Sequence, residues 1–202
     1  MRVRPGNCIL EAGMMRCRSR GSHLGDIPPP GRLGWRGAFR GVSLFDLDAV
    51  IEDAIAATAG LFRERGITIE RRLAGGLPEI EADRDRVQQV VINLLSNAAK
   101  FVPDRGGRVV VTSGLADGAV TCAIADNGPG VPAQHLHSIF ERFHQVGDTL
   151  TSKPKGTGLG LTICRHIVEH FGGRIWAESP AGQGAVFRFV LQVAEPLARA
   201  AE

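Results

Sequence analysis

Two asparagines four residues apart, followed at near-equal distances by two glycine-rich turns, constrain this chain more than its composition does. Asn93 and Asn97 lie in the run Asp85 to Phe101, whose apolar residues follow a helical period. Asp126-Asn127-Gly128-Pro129-Gly130 begins 29 residues after Asn97, and Gly156-Thr157-Gly158-Leu159-Gly160-Leu161 begins 30 residues after Asp126. Each piece alone is weak. Together and in order they put an amide pair, a carboxylate and two glycine turns within reach of one nucleotide.

The rest of the sequence fits around these pieces. Residues 1–41 hold eight Arg and two acidic residues, so a net charge of +3 over 202 residues hides a basic arm on a mildly acidic body. Pro28-Pro29-Pro30-Gly31 excludes a helix there, and the Arg residues follow no period, so residues 1–41 read as linker or disordered chain. The opening Met-Arg-Val-Arg has charge but no apolar core after it, which speaks against a secretory signal. No stretch is apolar enough to span a membrane. Cys8 and Cys17 lack partners at metal spacing, while Cys122 and Cys164 sit in apolar patterns and read as core residues.

From Asp46 to Arg65 the apolar residues Leu47, Val50, Ile51, Ala54, Ile55, Leu61 and Phe62 predict an amphipathic helix, with Thr58 on its buried stripe. Ile67 to Leu73 alternates like a strand. Ala82-Asp83-Arg84-Asp85 opens the second helix with acidic residues. Strands at 108–115 and 119–125 flank a hairpin turn, residues 159–171 form a third helix ending at Gly172-Gly173, and strands at 174–178 and 184–193 close the chain. Residues 128–158 are long, glycine-bearing and aperiodic, as a functional lid is. The whole reads as α+β: a mixed, mostly antiparallel sheet with helices on one face.

On the second helix Val87, Val90, Val91, Leu94, Leu95 and Ala98 form the buried stripe. Asn93, Asn97, Lys100 and Phe101 fall on a neighbouring face. An Asn amide oxygen is a neutral ligand suited to Mg²⁺ beside phosphate oxygens, and Lys100 can meet a phosphate as a point charge. Asp126, ending a strand, can accept from an exocyclic amine such as adenine N6. Gly156 to Leu161 opens a helix whose N–H groups can cradle phosphate oxygens, with Lys153 and Lys155 just upstream. Incidental surface Asn residues and ordinary turn chemistry remain the alternatives for each piece alone.

These residues resemble the catalytic, ATP-binding domain of bacterial sensor histidine kinases, in the GHKL superfamily. The helix with Asn93 and Asn97 resembles the N box, Asp126 to Gly130 the G1 box and Phe140-Glu141-Arg142-Phe143 the F box. Gly156 to Leu161 resembles the G2 box, and Gly182-Gln183-Gly184-Ala185-Val186-Phe187 the last glycine-rich turn. The resemblance covers roughly residues 43–193. It implies a two-layer Bergerat-type sandwich spanning 42–195, binding ATP and Mg²⁺ under a mobile lid, with a short tail at 196–202. Asn97 would hold Mg²⁺ with help from Asn93. Lys100 would contact phosphate, Phe101 would border the adenine, and Asp126 would bind its amine. Gly128 and Gly130 would give close approach. Lys155, Gly156, Thr157, Gly158, Leu159, Gly160 and Leu161 would wrap the triphosphate, and Phe140 and Arg142 would lie in the lid, with Arg142 reaching for the γ-phosphate or the acceptor.

The resemblance further implies a protein-histidine kinase fragment, acting in the cytoplasm with a histidine-bearing dimerisation domain and a response regulator receiver domain, and no nucleic acid. One departure stands out. Ser22-His23-Leu24-Gly25-Asp26 echoes an acceptor motif, but Pro28 to Pro30 and the surrounding glycines exclude the long helices an acceptor needs. The alternatives are an ATP-hydrolysing switch on the same fold and a degenerate nucleotide-binding module. Position 93 separates the first of these, because the hydrolytic relatives resemble one another in carrying Glu there, whereas Asn cannot act as a base.

Overall fold

A computed structural model describes residues 41–141 and 158–194. In chain order the elements are β1 (Val42–Phe45), α1 (Leu47–Glu64), β2 (Thr68–Arg72), β3 (Ile80–Asp83), α2 (Arg84–Phe101), β4 (Arg108–Ala116), β5 (Ala119–Asp126), α3 (Gly160–His170), β6 (Arg174–Glu178) and β7 (Ala185–Gln192).

Each of the two long helices begins at an aspartate cap. Asp46 caps α1 by accepting from Asp48 N at 2.9 Å, and Asp83 caps α2 by accepting from Arg86 N at 3.2 Å. Leu47, Val50, Ile51, Ala54, Ile55, Thr58 and Phe62 are the buried face of α1. Thr58 meets the core by returning its hydroxyl to Ala54 O at 2.9 Å. The predicted stripe of α2 is buried as a set, with Ala99 added. Arg65, just past α1, ties the two helices together: its guanidinium donates to Ala99 O and, at 2.8 Å, to Asp104 Oδ1. Ala99 O is one of the carbonyls a helix end leaves without an intrahelical partner.

Five strands form one sheet in the order β2-β4-β5-β7-β6, antiparallel except for the β2–β4 pair. β4 and β5 turn through Asp117 and Gly118, both at positive φ (50° and 75°), the backbone a two-residue hairpin requires. Val109, Val111, Val120, Cys122, Ile124, Phe187, Phe189 and Leu191 point from the sheet into the core beneath the helices. Register puts Thr112, Ala123 and Arg188 together on the opposite face. The structure is therefore the expected two-layer α+β sandwich. Among the described residues no helix is long and apolar enough to cross a membrane.

One feature differs from the sequence reading. Ala82 and Asp83 do not open α2 but end β3, which pairs antiparallel with β1 as a separate two-stranded sheet. Asp83 is at once the last strand residue and the helix cap, so its acidic signal was real but one element boundary late. β3 also joins the main sheet's end through Ile80 opposite Val193 and Ala194 N donating to Glu79 O at 2.9 Å.

Candidate nucleotide site

Asp126 is the last residue of central strand β5 and is buried, with 7% of its surface exposed. Its Oδ1 accepts from Gly128 N at 2.9 Å. Burial pushes the Asp126 carboxyl above the ordinary aspartate range, and the neighbouring backbone N–H groups of Gly128 and Ala185 pull it part of the way back.

The turn after it is built by backbone contact. A methyl group placed on Gly128 would sit 2.8 Å from both Asp126 Oδ1 and Phe101 O, so only glycine lets the turn lie against the end of α2. Gly130 has φ +80°, and a methyl there would strike Ser179 Oγ. Asn127 fastens the turn to β4. Its Oδ1 accepts from Arg108 N at 2.7 Å, and its Nδ2 donates to Gly106 O at 2.8 Å. Ser179 fastens the other side, accepting from Val131 N at 2.8 Å and donating to Gly184 O at 2.7 Å.

α2 brings the amide face alongside. Asn93, Asn97 and Lys100 are half-buried, and Phe101 is half-exposed with Lys100 Nζ 5.0 Å from its ring centre. α3 packs on α2 through Cys164, whose thiol is fully buried and donates to Val90 O at 3.8 Å. Burial pushes this thiol up to about 12, with the nearby Asn93 amide opposing. Cys122, the other buried cysteine, is likewise pushed upward by burial and then by the Asp48 carboxylate.

Gly158 has φ +70°, and Leu159, Gly160 and Leu161 are half-buried at the start of α3. Leu159, at the cap position, makes no side-chain cap bond, so among the described residues no side chain occupies that N-terminus in the way Asp46 and Asp83 occupy the others. Phe140 is buried, its ring edge-to-face with Phe187 at 6.5 Å, so it anchors the near end of the lid segment to β7. Residues 133–135 and 138–140 are single turns of 3-10 helix. Arg142, Lys153, Lys155, Gly156 and Thr157 lie outside the described residues, as do His23, Cys8 and Cys17.

Two contributors went unread in the sequence: Ser179 and the bonds made by the Asn127 side chain. A serine before Pro180 signals a turn and nothing more.

The family of histidine kinase-, DNA gyrase B- and HSP90-like ATPases matches residues 82–195. The chain is 34% identical over 171 residues to the adaptive-response sensory kinase SasA of Parasynechococcus marenigrum, covering 83% of this chain and 43% of that protein. It thus spans less than half the length of the curated relative. The catalytic domain of histidine kinase ThkA superimposes with a TM-score of 0.67 at 30% identity, over 76% of this chain and 97% of that one. Full-length ShkA, solved with AMPPNP, gives 0.66 at 32% identity, over 81% and 34% respectively. ThkA in complex with the response regulator TrrA gives 0.63 at 28% identity, over 76% and 42%. Motif order, sheet topology and these likenesses agree: the chain belongs to the histidine kinase-, DNA gyrase B- and HSP90-like ATPase family, in the form carried by sensor histidine kinases.

Proposed function

We propose that residues 42–195 bind ATP with Mg²⁺ and present the γ-phosphate to a histidine on a phosphoacceptor domain that residues 1–41 do not supply. The observation that carries this reading is that the Gly128 turn, which bonds Asp126, and α3 both pack on the one helix that bears Asn93 and Asn97.

The residues present fit the ligand. Asp126 is acceptor-only when ionised and can take an adenine amine. Only glycine at 128 lets the turn carrying Asp126 lie against the end of α2, where Phe101 would border the base. Asn97 offers a neutral oxygen to Mg²⁺, Asn93 supports it, Lys100 meets phosphate, and Phe101 borders the base. Bound Mg²⁺ would neutralise charge on the triphosphate. Gly158, Leu159, Gly160 and Leu161 would hold phosphate oxygens at the uncapped start of α3, joined by Lys155, Gly156 and Thr157, with Phe140 and Arg142 serving the lid.

Phosphotransfer is favoured over hydrolysis because Asn93 stands where a water-activating Glu would be needed. ShkA was solved with AMPPNP and ThkA with a response regulator, which supports extending to this chain a nucleotide donor role and a receiver domain downstream. ATP as donor puts this work in the cytoplasm.

Asn97→Ala tests the reading. Calorimetry should show Mg-dependent ATP binding lost with the fold intact, and an unchanged affinity would overturn it. With γ-labelled ATP, the chain alone should form no acid-labile phosphohistidine. An acceptor hairpin from a compatible kinase, added separately, should be labelled weakly, since no tether raises its effective concentration.

A further inference from the structure

Asn127 stands where β5 leaves its neighbour. Along the β4–β5 ladder Asp126 lies opposite Val109, so Arg108 comes opposite Asn127. Opposed residues at a hydrogen-bonded position of an antiparallel pair exchange two main-chain bonds. Asn127 N keeps the first, donating to Arg108 O at 3.2 Å. The second is taken by the side chain: Oδ1, in place of the main-chain carbonyl, accepts from Arg108 N at 2.7 Å. The nitrogen of the same amide donates to Gly106 O at 2.8 Å. A side chain thus closes the ladder and leaves the main-chain carbonyl of Asn127 out of it. The backbone can then turn away from β4 at once, toward Gly128 and the end of α2.

The anchor on the other side is firm. Gly106 lies in the turn joining α2 to β4, at φ +72°. A methyl on Gly107 beside it would sit 2.8 Å from Pro103 O, and Gly107 O accepts from Thr68 N at 2.9 Å. Asp104, in the same turn, is bound by Arg65, which also holds the Ala99 carbonyl of α2. The Asn127 amide therefore ties the turn after Asp126 to the segment that continues from Phe101. The two residues proposed to meet the base stand on different elements, Phe101 at the end of α2 and Asp126 at the end of β5.

Resting on the ATP-binding reading above, we propose that Asn127 is a positioning residue for base recognition: by ending the β4–β5 ladder with its side chain, it sets the turn that holds the Asp126 carboxylate in place beside Phe101. Both polar atoms of its side chain are engaged by backbone, so it acts through Asp126 and not by touching the nucleotide.

The test is calorimetric titration of the full chain with Mg-ATP and with the Mg complex of purine riboside triphosphate, which lacks only the exocyclic amine. The ratio of the two affinities cancels whatever a variant does to the phosphates, the sugar or the fold. Wild type should favour ATP by about tenfold, the scale of one hydrogen bond to a charged group. Asn127→Ala should bring that preference down to about twofold or less. Asn127→Asp keeps an oxygen for Arg108 N and loses only the donor to Gly106 O, so it should keep most of the preference, even where its added charge weakens both ligands. Should Asn127→Ala fail to fold, Asn127→Ser, whose oxygen lies too near the main chain to reach both partners, carries the same expectation. A wild-type chain that binds no Mg-ATP would end the site assignment and this role together. Equal binding of the two ligands by wild type would remove Asp126 as reader of the amine, and this role with it. If wild type discriminates and Asn127→Ala discriminates as well, the positioning role alone is refuted, even if both affinities fall. A preference lost as fully in Asn127→Asp would refute it too, since the oxygen that ends the ladder would not be what matters.

Discussion

Replacing Gly160 by alanine should separate folding from binding at one atom. Gly160 is the first residue of α3, its φ lies outside the left-handed region, and an added methyl would meet nothing within 4 Å. Alanine therefore fits the native backbone, and it restricts the unfolded chain more than glycine does, which is worth about 0.5 kcal/mol here. For a domain of this size that raises the melting temperature by about 1–2 °C. The open space that makes the change harmless to the fold is the space proposed for phosphate oxygens. A methyl there pushes an anion off the helix N-terminus, an interaction worth about 0.3–2 kcal/mol. The expected loss is about 2- to 30-fold in Mg-ATP affinity. Differential scanning calorimetry of the nucleotide-free protein and isothermal titration with Mg-ATP measure the two halves separately. A variant that melts higher and binds as tightly as wild type would show that no phosphate lies against Gly160. A variant that melts lower without ligand would show that the space around Gly160 is not free.

Asp126 gives a pH dependence of defined sign. Its folded carboxyl titrates above the ordinary 3.8, so the native state holds the proton more tightly than the unfolded chain. Just above pH 3.8 the free energy of unfolding should fall as pH rises, by this group's contribution, and Asp126→Asn should flatten that slope in a series of melts. Mg-ATP affinity should fall on acidification with a midpoint above 3.8, and a midpoint at or below that value would contradict the burial. Cys122 and Cys164, both buried with their thiols pushed upward, should resist iodoacetamide at pH 8 until the protein unfolds, with peptide mass spectrometry reading each site. Fast native labelling at Cys164 would mean that the α2–α3 packing opens readily, and at Cys122 that the sheet side of the core does. Arg65→Ala should cost about 1–2 kcal/mol in urea unfolding by leaving Ala99 O without its partner, and an unchanged midpoint would mean that water replaces the guanidinium there.

The parts of this fold that could be read from sequence were those with a period or a turn chemistry of their own. α1 and α2 carry long apolar stripes, and Asp117-Gly118 announces its hairpin. The glycines at 128, 130 and 158 mark backbone that other residues cannot follow or cannot crowd. β1 and β3 could not be read this way. Each is four residues long, too short to show alternation, and each is set by its partner across space. The β1–β3 pair depends on Phe45 meeting Ile80, a contact between residues 35 apart. The parallel pairing of β2 with β4 is likewise a property of the crossover through α2 and leaves no mark on either strand. At the site, the residue types were legible because amides, a carboxylate and glycines recur with a fixed order. Ser179 was not, since the two backbone groups it bonds, Val131 N and Gly184 O, meet it only in the folded chain.

Among the described residues the order β2-β4-β5-β7-β6 leaves two open rims, each a row of backbone groups able to zip onto another chain. On β2, Glu70 is paired to Arg72 at 2.6 Å and also to Arg108, and Arg71 reaches Glu52 at 3.0 Å. On β6, Arg174 stacks on Trp176 at 5.4 Å, and Glu178 takes the Trp176 indole N–H at 2.8 Å and Arg188 at 3.3 Å. An incoming strand would have to strip these ion pairs of their partners or bury them. Such pairs add little to folding in water, but as a fence they work by what they obstruct. Their consequence is colloidal: copies of this domain crowded side by side have their sheets kept from growing into one another by a few side chains remote from the nucleotide.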